Sequence, residues 1–404
     1  MFKYLILGAG PSGLALAHRL LAQDKRNFLV LEAENEPGGL CRSQTVDGSP
    51  LDIGGGHFLD VRRPEVNEFL FRFMPKSEWD EYIRDSRIEI EGQTVHHPIE
   101  ANIWEMDMQH QVEYLKSIAS AGCNCGKKMP RRFVDWIYWK LGDKIAENYM
   151  LPYNRKMFGE QLNRLGTYWL EKLPNVNFEE TLRSCLEHKA YGQQPGHARF
   201  YYPKKYGYGE LWLRMGKALG KNLLCGQRVV SLDFSRKEVR TADGSCFTGE
   251  TIITTIPWGS FQSIGMPTAM RHIVSQLKHT SVQVEYVPKR LETTAHWIYY
   301  PAPEISYHRI LVRHNFCPNS KGYWTETNGD RVAPELSANN FCHWNEYAYP
   351  LNTIGKNERM TKLLAWAREH NVLGLGRWGE HQHYNSDLTV KLAMDLADSL
   401  LQRS

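Results

Sequence analysis

Residues 8–13 read Gly8-Ala9-Gly10-Pro11-Ser12-Gly13. They follow an apolar run, Phe2 to Leu7, and precede a helical pattern carried by Leu14, Leu16, Ala17, Leu20 and Leu21. A Gly-x-Gly-x-x-Gly turn between strand and helix is suited to a dinucleotide. Gly8 permits the tight turn, Gly10 lets the backbone approach a pyrophosphate, and Gly13 lets helix and strand pack closely. The helix start at Pro11 and Ser12 offers free N–H groups and a positive dipole end to phosphates. A second apolar run, Phe28–Leu31, ends in Glu32, nineteen residues after Gly13. An acid at that distance is placed to accept hydrogen bonds from the hydroxyls of an adenosine ribose.

Three further segments select a flavin over a nicotinamide. Gly38-Gly39-Leu40-Cys41-Arg42 supplies a second close backbone approach just after the ribose acid, with Arg42 expected to face phosphate or flavin. Gly54-Gly55-Gly56-His57 allows flat packing of backbone against an aromatic ring. Gly376-Arg377-Trp378-Gly379-Glu380, followed by Asn385-Ser386-Asp387, leads into a last helix whose N-terminus suits the ribityl or carbonyl end of the flavin. Their order predicts non-covalent FAD. Ala33, beside the ribose acid, and Val229, in a later strand, complete the expected cofactor contacts.

These residues need a scaffold. The chain has 404 residues, 42% of them hydrophobic, enough for a large core and two or three domains. Its net charge of +4 argues against a nucleic-acid binder. The basic stretch Lys127, Lys128, Arg131 and Arg132 reads as a solvated face. No apolar run reaches the roughly 18 residues of a membrane span. No secretory apolar core precedes the first strand, so a cytoplasmic location is expected. The eight cysteines are scattered and read as thiols. Neither Cys123-Asn-Cys125 nor the pairs His96-His97 and His381-Gln-His383 has metal-ligand spacing, so no metal is expected.

The fold class is α/β. A Rossmann-type FAD-binding domain is predicted from 1–63, 200–265 and 360–404. Residues 64–199 read as a mainly helical insertion, with the clearest patterns at Val112–Ala119, Phe133–Met150 and Trp169–Leu186. Residues 266–359 read as an antiparallel β-sheet substrate domain, with runs at Ser281–Val287, Trp297–Tyr300 and Arg309–Val312. Val372–Gly376 leads into the C-terminal helix, which Asp387 is placed to cap. Such an interrupted domain sets a substrate crevice between its parts, and a homodimer is possible.

On these segments the chain resembles FAD enzymes of the amine-oxidase superfamily, and within it the UDP-galactopyranose mutases. The resemblance runs nearly end to end and is poorest between about 80 and 130. Leu151-Pro-Tyr153-Asn-Arg155-Lys156-Met-Phe158-Gly159 resembles the mutases' Tyr-x-x-Lys-x-Trp-Gly segment. Tyr202-Pro-Lys-Lys-Tyr-Gly207-Tyr-Gly209 is similar to their Pro-x-Gly-Gly-Tyr stretch. Tyr307-His-Arg309 resembles their Tyr-x-Arg, and Glu346-Tyr-Ala-Tyr349-Pro350-Leu-Asn352 their Tyr-Tyr-Pro-Val-Asn. The Gly376-Arg377 motif with Tyr384 and Asn385-Ser386-Asp387 is similar to their last flavin and substrate segment.

The resemblance implies an isomerase that interconverts pyranose and furanose forms of a UDP-galactose-like nucleotide sugar. N5 of reduced FAD then acts as nucleophile at the anomeric carbon while the diphosphate leaves. Arg309 would hold the diphosphate through its rigid fork of donors, and Tyr349 and Tyr384 would donate to the same oxygens. His57 would contact the flavin, although three glycines before it leave either Gly56 or His57 in the place of the family's histidine. Tyr153 and Phe158 would form part of an aromatic slot for the nucleobase, and Arg155 would be a further substrate contact. Two departures bear on the substrate. No arginine follows Pro174, where the mutases usually carry a second diphosphate arginine, and Phe158 stands where bacterial members have tryptophan. The alternative is a redox flavoenzyme of the amine-oxidase or protoporphyrinogen-oxidase type.

Overall fold

The computed structural model describes residues 1–23, 27–170, 173–193, 196–332 and 340–402. Glu171 and Lys172 of the Trp169–Leu186 pattern, and the last two residues of the 360–404 segment, lie outside the described residues.

The apolar runs around the glycine turn become parallel strands. The order is Leu223–Leu224, Phe28–Leu31, Phe2–Leu7, Cys246–Thr254 and Val372–Gly374. Near-continuous apolar runs suit strands covered on both faces, and Leu5, Ile6, Leu7, Val30 and Ile252 are all fully buried. The Cys246–Thr254 strand continues the sheet in another style. Its first half runs antiparallel to Glu238–Thr241, which pairs in turn with Val229–Asp233. The helix after the turn, Pro11–Ala22, buries Leu14, Leu16, Ala17 and Leu20. It packs on the C-terminal helix Ser386–Gln402, and Arg19 bonds Asp398 at 2.5 Å between them.

A second sheet of seven strands stands against this layer. Its order is Cys342–Pro350, His279–Val287, Tyr323–Asn328, Arg309–Leu311, Trp297–Tyr299, Ser86–Ile90 and Gln93–His96. All its pairings are antiparallel except the one between Trp297–Tyr299 and Ser86–Ile90. The hairpin 86–96 therefore reaches this sheet from inside the stretch read as mainly helical. The strands alternate as a sheet with one core face must, with Val282, Val284 and Tyr286 buried. Phe58 packs with ring centroids 4.5 Å from Phe200, in a small three-stranded sheet, and 5.1 Å from Trp297 of the seven-stranded sheet.

The helical part holds Met108–Ala119, Phe133–Ile145, Leu151–Phe158 and Phe178–Glu187. Two helices differ from their sequence patterns. Phe133–Met150 is broken at Gly142, whose φ is +73°, because the chain there passes close to the Met108–Ala119 helix; a Cβ would lie 2.4 Å from the Ser117 carbonyl oxygen. The Trp169–Leu186 pattern becomes a helix only from Phe178. Asn177 caps it by accepting from the Glu180 N–H at 2.8 Å, and Glu180 accepts from the Asn177 N–H at 2.9 Å. Asp387 also departs from its expected role. It lies inside the first turn of the last helix, not ahead of it, and pairs with Arg63. Lys127, Lys128, Arg131 and Arg132 are all exposed.

Candidate active site

A groove of about 400 Å³ opens at the carboxyl ends of the parallel strands, where open α/β sheets bind ligands. Gly8, Gly10, Pro11, Ser12, Glu32, Gly39, Leu40 and Arg42 line it. The two glycine segments face each other there: a Cβ on Gly39 would lie 3.3 Å from the Gly10 Cα. Gly13 works behind the groove. A Cβ on it would sit 2.0 Å from the Gly8 carbonyl oxygen, so helix and turn pack only because it has none. Buried Glu32 accepts from the Ala9 N–H at 2.7 Å and the Glu34 N–H at 3.0 Å. Burial raises its pKa, and those N–H groups with Arg42 oppose the rise. A carboxylate has about four lone-pair sites, so acceptor capacity remains for ribose hydroxyls. Opposed glycines, a helix N-terminus and a ribose-type acid together fit a dinucleotide.

Arg42 lines this groove but is committed to Glu34 at 3.2 Å and to the Gly39 carbonyl at 3.0 Å. The Cys342–Pro350 strand adds His343, Trp344 and Tyr347 to the wall, none of which the glycine pattern announces.

Behind the groove lies a central cavity of about 210 Å³, and beyond it an outer one of about 430 Å³. His57, Arg377 and Ser386 line both groove and central cavity. Arg84, Met157, His197, Tyr299, His383 and Asn385 line both central and outer cavities. The three spaces thus share walls in series.

His57 stands on the wall shared by the groove and the central cavity. Its Nδ1 lies 3.0 Å from the Gly55 carbonyl, a contact that requires N–H on that nitrogen and leaves Nε2 with a lone pair. Burial, with Arg377 nearby, pushes its pKa down to about 4, so the ring is neutral at pH 7. Arg377 donates to the Tyr384 carbonyl from Nε at 3.0 Å and Nη2 at 2.7 Å, and to the Ala348 carbonyl from Nη1 at 3.2 Å. It therefore fixes the chain on both sides of the central cavity.

Arg309 also lines the central cavity. Its Nε and Nη2 each lie 2.7 Å from Glu326 Oε2. Glu326 is buried, and its Oε1 accepts from the Gly56 N–H at 2.8 Å. Burial alone would raise the Glu326 pKa; the Arg309 guanidinium and His308 outweigh it and hold the carboxyl far below the usual range.

Several expected site residues fall elsewhere. Tyr349 lines the central cavity, its ring 4.8 Å from that of His383, whereas Tyr384 lines the groove; the two tyrosines do not meet in one cavity. Tyr153 and Phe158 line the outer cavity, and Phe158 is largely buried in the helical core. Arg155 lies on the exposed face of the same helix and lines none of the three spaces. Val229 points into the core with Leu5, Leu29 and Leu31. Ala33, Gly55 and Asp387 are outside the groove wall, and Asn385 faces the inner cavities instead. Gly376 supports the turn: its φ is +75° and a Cβ would lie 2.0 Å from Ser12 Oγ. Arg84, Tyr299, Glu326 and His383 belong to the site but stand outside the glycine and arginine motifs.

Among the described residues, no group of three or more His, Cys, Asp or Glu is arranged to hold a metal ion, and no helix is long and apolar enough to cross a membrane.

Fold and site together define an α/β protein with a groove that fits a dinucleotide and a polar inner cavity behind it. Residues 11–287 match the model of the flavin containing amine oxidoreductase family, and the chain belongs to that family, whose members carry a flavin. Sequence relatives match over short stretches. Coproporphyrinogen III oxidase of Mycobacterium leprae is 37% identical over 70 residues, covering 17% of this chain and 15% of that protein. UDP-galactopyranose mutase of Mycoplasma pneumoniae is 34% identical over 74 residues, 18% of each chain. The crystal structure of a reduced UDP-galactopyranose mutase matches the whole chain and 94% of that chain, with a TM-score of 0.89 at 22% identity. At that identity the likeness establishes the fold.

Proposed function

We propose that this chain binds FAD non-covalently and isomerises a UDP-galactose-like nucleotide sugar between pyranose and furanose forms. The observation that carries the reading is the charge of the inner cavity. Arg84, Arg309 and Arg377 all line it, and Glu326 is the carboxylate paired with one of them. A cavity with surplus guanidinium suits an anionic substrate and disfavours the ammonium of an amine.

Glu32 and the 8–13 turn would hold the adenosine and diphosphate of the cofactor, which when bound and reduced would supply a nucleophilic nitrogen for the anomeric carbon. His57 and Ser386, shared between groove and cavity, mark where cofactor and substrate meet. Neutral His57 presents its Nε2 lone pair there. Arg309 receives the substrate diphosphate and stays charged as negative charge builds on the departing oxygen. Tyr349 adds a hydroxyl donor on the same cavity wall, and burial raises its pKa, so it keeps its proton. Tyr153 and Phe158 contribute aromatic walls to the outer cavity, which takes the nucleobase.

The test uses the FAD-loaded protein, reduced with dithionite without oxygen and offered a panel of nucleotide sugars. Isomerised sugar with the flavin still reduced after many turnovers is the expected result. If no sugar reacts, while an amine or a porphyrinogen bleaches the oxidised flavin, the chain is instead a redox enzyme.

A further inference from the structure

The guanidiniums of the inner cavities differ in standing. Arg309 has two nitrogens on Glu326. Arg84, which lines both central and outer cavities, has no carboxylate partner among the described residues. Its Nε donates to Ser86 Oγ at 2.7 Å and its Nη1 to the Gly196 carbonyl at 2.9 Å. Its Nη2 lies 3.1 Å from both His97 Nδ1 and the Tyr299 hydroxyl. Its guanidinium carbon stands 4.8 Å from the Trp297 ring centroid. These neutral partners fix the plane of the fork and leave its charge uncancelled.

The surroundings do not cancel it either. His97 and His197 are pushed down by burial and are neutral. Tyr149, Tyr153 and Tyr299 are the nearby hydroxyls, and Arg309 is a like charge. Asp85, next in the chain, is committed to Arg87 and Thr294. Glu100 shares the outer wall, but burial favours its neutral form and it makes no ion pair with Arg84. An uncancelled guanidinium half-buried in a cavity wall attracts a counter-ion.

We infer that Arg84 is an anion-binding residue at the neck between the central and outer cavities, and that it receives a phosphate of a phosphate or diphosphate ester. The assignment rests on the nucleotide-sugar reading above. Both guanidiniums line the central cavity, Arg309 as a neutralised pair and Arg84 as the free charge.

Titration calorimetry on the FAD-loaded protein, with UDP and inorganic pyrophosphate as probes, tests this. Arg84→Gln is expected to weaken UDP binding about 10–100-fold, the cost of a lost charged hydrogen bond. Its flavin spectrum should be unchanged and its salt dependence of binding shallower. Arg84→Lys should recover part of the affinity, because it keeps the charge and loses the fork. Wild-type UDP affinity in Arg84→Gln overturns the assignment, as does a wild-type protein that binds neither probe. If Arg84→Gln does not fold, Arg84→Lys decides, and an unchanged affinity there overturns it. UDP binding that depends on Arg84 without isomerisation of any sugar keeps the anion site and removes the mutase reading.

Discussion

Glu326 accepts from the Gly56 N–H and from two nitrogens of Arg309, and lies 3.6 Å from His308 Nε2. Glu326 is buried and Arg309 half-buried at the cavity wall, so removing the carboxylate leaves a guanidinium without its counter-charge. Glu326→Gln should therefore cost about 3–5 kcal/mol of stability, measured by urea unfolding. The double variant Glu326→Gln/Arg309→Met should recover most of that loss, and a single-variant loss below about 1 kcal/mol would mean that water screens the pair. Residues of this kind were invisible in the sequence. Gly8, Gly10, Glu32, Gly39 and Arg42 were legible because turn, helix start and ribose acid are local and spaced by the βαβ unit itself. Glu326 meets a glycine 270 positions away, and nothing local marks an acid in a strand as the partner of that loop. Arg84 lies in the stretch where the family pattern is weakest. Arg155 misled for the opposite reason: its motif is present, yet helical phase turns its side chain to solvent.

Among elements, the strand–turn–helix opening is the most sharply constrained. Gly13→Ala places a methyl against the Gly8 carbonyl, and strand and helix must part or the turn must shift. Overpacking of that kind costs about 1–3 kcal/mol, so FAD occupancy of the purified protein, read from its visible absorbance, should fall about tenfold or more. Full occupancy would show that the turn tolerates the shift. Apolar runs located the parallel strands, and helical periodicity the opening helix and the last helix. It placed the helix from Phe178 several residues too early, because side-chain capping by Asn177 and Glu180 sets that start. It gave no sign that the hairpin 86–96 joins the second sheet, since strand partners are chosen by tertiary packing and the hairpin's own sequence fits several neighbours.

Across the whole molecule, acid stability follows from buried imidazoles. Burial pushes His57 and His296 to about 4 and His381 to about 3. In the unfolded chain each takes up a proton near pH 6.5. Between pH 6.5 and about 4 the unfolded state thus binds more protons, and stability falls as pH falls. Asp52 acts the other way: burial raises it to about 7, so its folded form keeps a proton that the unfolded form loses near 3.8. His18, His97, His197, His279, His308 and His343 are lowered too, against Glu32, Glu100 and Glu380 raised beside Asp52, so the histidine slope is dominant. The melting temperature should drop from pH 6.5 to 4.5, and Asp52→Asn should steepen that drop; a flat profile would mean that water reaches the histidines. The Glu326 carboxylate has one more consequence at this scale. One of its oxygens holds the glycine loop that borders the cofactor groove, and the other holds the arginine of the inner cavity. Under the proposed reading the two sides are expected to couple through this carboxylate, and linkage is reciprocal: whatever factor an anion at Arg309 would add to cofactor retention, the cofactor would return to the anion.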